Sequence, residues 1–144
     1  MSDKPTKLVA VIAQLNRMTQ EKLIKWKRED PPAQLSSGGD VIYNFYVAEH
    51  EGHILGIYEK KYKPNTLYEA ALSGSPFHQT TDKEVVLAFF SRIDNKDSTQ
   101  RLEKEWEFPQ VTGLGSLFQS VVFQIADVGS FIDKILENNY SASA

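Results

Sequence analysis

From Val41 to Tyr62 the chain reads VIYNFYVAEHEGHILGIYEKKY, two runs of β-branched and aromatic residues separated by His50-Glu51-Gly52. Such runs favour extended backbone, and a two-residue Glu51-Gly52 turn lets them fold back on each other. The first run is apolar at both parities, with Val41, Tyr43, Phe45 and Val47 alternating against Ile42, Tyr46 and Ala48, and only Asn44 intervening. A strand of that composition needs cover on both faces. The second run begins with Ile54, Leu55, Ile57 and Tyr58 and turns polar at Glu59, Lys60 and Lys61, so the hairpin has a buried root and a solvated end.

A second hairpin follows. Lys83 to Ile93 is again apolar at both parities and is expected to lie centrally beside the first hairpin. After the polar turn Asp94 to Ser98, the stretch Arg101 to Phe108 alternates, with Leu102, Trp106 and Phe108 predicted on one face. Arg101, Glu103, Glu105 and Glu107 fall on the other, an acidic row that reads as a solvated face. Pro109 ends the strand, because its ring nitrogen cannot donate to a ladder. Between the hairpins, residues 64–82 lose all periodicity apart from Leu67 to Leu72, which could form a short helical turn. A connection that long is unusual in a compact domain and reads as a lid or a disordered loop.

Helical spacing brackets the strands. Asp3 and Pro5 suit a helix start, and Leu8, Val11, Ile12, Leu15 and Met18 form one stripe expected to lie on the sheet, with Lys7, Gln14 and Arg17 toward water. The basic segment 22–28 that follows reads as an edge strand, Ile24 and Trp26 alternating with Lys25 and Lys27, because edge lysines discourage pairing with other chains. At the other end, Leu114, Leu117, Phe118, Val121, Val122, Ile125, Val128, Phe131, Ile132, Ile135 and Leu136 recur at helical spacing. Asp127 and Gly129 favour two helices over one, with Asp127 capping the second. The fold class predicted is α+β: an antiparallel sheet of four or five strands in two hairpins, an N-terminal helix and a C-terminal helix or helix pair. A single domain over residues 1–140 and a disordered polar tail over 141–144 complete the expectation.

Composition narrows the functional classes. Sixteen Lys and Arg against nineteen Asp and Glu give a formal charge of -3, which disfavours broad attraction to nucleic acid or to an anionic membrane. The chain has no cysteine, which removes thiolate catalysis, disulfides and Cys-based zinc sites and fits a cytoplasmic setting. No apolar run reaches the roughly 18 residues of a membrane span, and the N-terminus reads as mature protein.

The candidate chemistry is sparse. Glu49, His50 and His53 at the first hairpin tip, joined by His78 if the fold brings it near, could supply imidazole and carboxylate ligands to a divalent ion, although a solvated turn explains the same residues. Lys25, Trp26, Lys27 and Arg28 have the basic and aromatic mixture of a single-strand nucleic-acid surface, opposed by the neighbouring Glu29 and Asp30. No nucleophile elbow, phosphate loop or dinucleotide fingerprint occurs, and no cofactor is expected. The C-terminal stripe is wider than one sheet face requires, and Val128, Phe131 and Ile135 are the residues expected at an interface. These features point to a small non-enzymatic protein-interaction module acting as a homodimer. The alternatives are a small-molecule or metal-dependent activity at the first hairpin tip under the 64–82 loop, and nucleic-acid binding through 22–28.

Overall fold

The computed structural model describes residues 3–36, 38–61 and 83–143, with side chains described over 7–36, 38–61 and 83–138. The fold is α+β: an N-terminal helix, a five-stranded antiparallel sheet and two C-terminal helices. The contacts divide the chain into two compact units, one of Met1–Lys27 with Val111–Ala144 and one of Arg28–Gln110.

The second unit holds the sheet, a meander in the order β1-β2-β3-β4-β5. Its strands are β1 (Lys27–Arg28), β2 (Val41–His50), β3 (His53–Lys61), β4 (Lys83–Asp94) and β5 (Gln100–Glu107). The β2–β3 turn is the expected two-residue one. Glu51 at φ 49 and Gly52 at φ 80 are both left-handed, the geometry whose twist matches that of the flanking strands, and His50 pairs with His53. The β4–β5 turn is held by the Asn95 N–H donating to the Thr99 carbonyl at 2.7 Å and by Asp97, whose carboxylate accepts the Thr99 N–H at 3.1 Å and hydroxyl at 2.5 Å. Those bonds hold the Asp97 carboxyl below its usual range.

Two bulges correct the faces expected from simple alternation. In β2 the register steps from Tyr43 opposite Glu59 to Tyr46 opposite Ile57, leaving Asn44 and Phe45 across from a single residue. Asn44 sits there at φ 51, a conformation asparagine tolerates, and its amide donates to Glu59 at 3.0 Å. The extra residue flips the parity of what precedes it, so Ile42, not Tyr43, packs with Phe45 and Val47. In β5 the register steps from Trp106 opposite Phe89 to Lys104 opposite Phe90. Leu102 and Trp106 therefore take opposite faces: Leu102 is in the core, whereas Trp106 is 47% exposed.

One sheet face carries a cluster of Phe45, Val47, Tyr58, Val86, Ala88, Phe90 and Leu102, joined by Leu35 from the short 3-10 turn Ala33–Ser36. At its centre is Gly56, paired with Val47 on one side and Ala88 on the other. The rings of Phe45 and Phe90 meet edge to face above it, 5.5 Å apart at 88°. Tyr46, Ala48, Leu55, Ile57 and Leu87 are the buried residues of the opposite face.

The first unit contains α1 (Asp3–Gln20), α2 (Leu114–Ile125) and α3 (Val128–Ser143). The edge strand expected over 22–28 is confined to its last two residues, because α1 closes with a helix-ending turn instead. Leu23 N–H donates to the Met18 carbonyl and Lys22 N–H to that of Thr19, with Lys22 left-handed at φ 63. The amide of Gln124 in α2 then secures the exit. Its oxygen accepts the Trp26 N–H at 2.7 Å, and its nitrogen donates to the carbonyls of Thr19 and Ile24, each at 2.9 Å. Ile12 of α1 lies against Gly113, whose φ of 104 opens α2, while Val11 is exposed, so the buried stripe of α1 is narrower than its apolar spacing suggests. The C-terminal stretch is two helices, α2 and α3 being bent by 57° at residues 126–127. Asp127, left-handed at φ 54, caps α3 by its backbone, its carbonyl accepting the Phe131 N–H at 3.3 Å. The helical backbone of α3 runs to Ser143.

A methyl group at Gly56 would stand 2.5 Å from Cε1 of Phe90 and 3.2 Å from Cζ of Phe45. Gly56→Ala should therefore cost about 1–3 kcal/mol of stability, read as a lower urea midpoint at unchanged slope. Adding Phe90→Leu should recover part of the loss, and a Gly56→Ala variant as stable as the parent would show that the two rings do not hold this slot closed.

Candidate functional site

Among the described residues, the most unusual surface is on α3. Its apolar side chains recur at positions 131, 132, 135 and 136, the spacing that makes one face of a helix. In a helix of a folded core that face is buried. Here Phe131 is 64% exposed, Leu136 52%, Ile132 44% and Ile135 43%. Val128, the third residue expected at an interface, is half-buried, and Phe123 of α2 adds a further exposed ring. The margins carry Asp133 and Lys134 on either side. Single exposed apolar residues are ordinary; four in a continuous stripe are not.

The second feature lies in the sheet unit beside the first hairpin tip, a depression of about 560 Å³. One wall is aromatic: His53 packs on Phe89 with ring centres 5.7 Å apart, and Phe89 lies 6.1 Å from Trp106. Phe108 backs the wall, 4.7 Å from Trp106 and 5.5 Å from Phe89. The polar side holds Ser91, Arg92 and Glu105. Ser91 donates its hydroxyl to Glu105 at 2.5 Å, and Arg92 lies 3.2 Å from Glu29 and 3.6 Å from Glu49. The strand pattern did not reveal this grouping, since it depends on the bulge that turns Trp106 away from the face of Leu102.

A serine, a histidine and a glutamate thus share one depression, yet their order does not make a relay. The hydroxyl bonds directly to the carboxylate, and among the described residues neither the His50 nor the His53 imidazole makes a hydrogen bond. A nucleophile needs a base that takes its proton and a partner that orients that base. A further depression of about 410 Å³ in the helical unit is lined by Thr19, Gln20, Ser120, Phe123 and Gln124 among others; there the Gln20 amide donates to the Ser120 hydroxyl and the Gln124 amide to the Thr19 carbonyl.

The remaining sequence candidates are dispersed. Of the proposed metal ligands, Glu49 faces Arg92, His53 packs on Phe89, and His78 lies outside the described residues, as does the 64–82 loop. Among the described residues, no three His, Asp or Glu side chains are placed to share an ion. In the basic segment Lys25 is exposed, but Trp26 is buried and its indole N–H donates to Thr19 at 3.0 Å, so that ring is not a stacking platform. Arg28 turns back onto the ring and hydroxyl of Tyr46. The glutamate row divides between partners: Glu103 with Arg101, Glu107 with Lys104, Glu105 with Ser91. No single helix among the described residues is long and apolar enough to cross a membrane.

No family model matches the chain, and no curated protein or solved structure is detectably similar to it.

One titrating group belongs to the sheet core. The Tyr58 phenol is pushed well above its ordinary value of 10.0 by burial, with Glu107, Glu84 and Asp40 adding to the effect. Its folded-state value exceeds the unfolded one, so the stabilisation is complete below pH about 10 and is lost as the pH climbs above it, where only the unfolded chain releases the proton. Stability measured from pH 8 upward should fall more steeply in the wild type than in Tyr58→Phe. Parallel curves would mean the phenol is not held neutral by the fold.

Proposed function

We propose that the chain is a non-enzymatic protein-interaction module that self-associates through the apolar face of α3. The observation that carries the reading is the exposure of Phe131, Ile132, Ile135 and Leu136 as one stripe. Removing such surface from water is favourable by about 25 cal/mol per Å². A second copy suits it because the stripe is symmetric about its own midpoint. An antiparallel pairing centred between residues 133 and 134 sets Phe131 level with Leu136 and Ile132 level with Ile135 of the other copy. A two-fold interface requires that kind of self-complementary patch.

The stripe with Phe123 offers on the order of 500 Å² per copy, taking roughly 100 Å² for each half-exposed side chain. Standard interfaces bury about 800 Å² per partner, so the association is of the weak, concentration-dependent kind. Light scattering over a dilution series should give a mass above the 16.3 kDa of one chain at high concentration, falling toward it on dilution. Phe131→Asp with Ile135→Asp should give the single-chain mass throughout, with an unchanged circular dichroism spectrum. A wild type that stays at the single-chain mass, or a variant whose mass follows the wild type, would overturn the reading.

A further inference from the structure

We propose that the depression beside the first hairpin tip is a binding site for an organic cation on an apolar stem, of which a lysine side chain is the simplest example. The argument starts with its charge. Arg92 lines it, but its guanidinium is paired with the carboxylates of Glu29 and Glu49, which are not among the lining residues. Glu105 is the acidic residue of the lining. Among the described residues no basic side chain pairs with it, and its one hydrogen-bond partner is the Ser91 hydroxyl, which leaves its second oxygen open.

The aromatic wall supplies the other half of the chemistry. Trp106 is 47% exposed although it sits among Phe89, Phe108 and His53, and exposure of so large an apolar surface is costly. Indole has the strongest attraction of the side-chain rings for a cation placed over its face, and Phe89 lines the same space for a hydrocarbon stem. Glu105, next in the chain and brought to the same depression by the bulge in β5, would meet the ammonium directly. Anions are disfavoured by the Glu105 carboxylate, and a neutral apolar ligand would leave that carboxylate desolvated without a partner.

The chain has two tryptophans, so the indole N–H of Trp106 can be followed as one of two resolved signals in a ¹⁵N correlation spectrum. Four probes distinguish the sources of the cation: N-acetyl-lysine methylamide, butylammonium, a short lysine-containing peptide and the norleucine counterpart of the first. Expected is a saturable shift of the Trp106 signal with the three cations and none with norleucine. Tighter binding of the peptide than of butylammonium assigns the site to a protein partner's lysine, and the reverse order to a free amine. Glu105→Gln should weaken binding at least several-fold while leaving the rest of the spectrum in place. Equal response to norleucine, an unchanged affinity in Glu105→Gln, or no shift at Trp106 with any probe would overturn the proposal.

Discussion

Apolar side chains on both faces of β2, β3 and β4 set the terms for everything else in this chain. Neighbouring residues such as Phe45 and Tyr46, Ile57 and Tyr58, and Val86 and Leu87 are buried on opposite sides of the same strands. Such strands must stack closely enough that their large rings interdigitate without leaving voids. Gly56 makes this possible, because the space above its Cα is taken by Phe90 and Phe45. The two bulges serve the same demand, re-aiming Ile42 into the cluster and Leu102 onto the face that needs it.

Much of this was legible in the residues. Two-parity apolar runs announced the hairpins, Glu51-Gly52 announced the tight turn, and the helical spacing after Gly113 announced α2 and α3, with the break beside Asp127. What was not legible has specific physical causes. A bulge shifts parity by one residue, and nothing about Lys104 or Glu105 signals one, so Trp106 read as a core-facing residue and the depression around it went unseen. Asn44, the one polar residue in its run, was a signal for the first bulge. The segment 22–28 read as a strand because Ile24 and Trp26 alternate with lysines, but those two side chains are buried beyond a helix end and the strand itself is only Lys27 and Arg28. That ending rests on hydrogen bonds from Gln124, about a hundred residues away, which no local pattern encodes.

The helical unit obeys the same burial rule until α3. α2 buries Leu114, Leu117, Phe118 and Val121 along one face and is bonded to α1 through Gln124 and Ser120. α3 has the same kind of apolar spacing with no described side chain to cover it. A helix of that composition gains most of its stability in water by packing rather than by its intrinsic propensity. Self-association meets that need with residues already on the chain, and the symmetry of the stripe about its midpoint gives the pairing its direction.

That direction can be measured. The chain lacks cysteine, so single cysteines at Ser130, Lys134 and Glu137 can each carry one spin label, and label-to-label distances across a dimer can be read by double electron-electron resonance. Antiparallel pairing about the point between 133 and 134 predicts the shortest distance at 134. Similar, longer distances are expected at 130 and 137, where the labels are offset along the axis by about 10 Å at roughly 1.5 Å per residue. One distance common to all three positions, or no dipolar signal at any of them, would contradict the account.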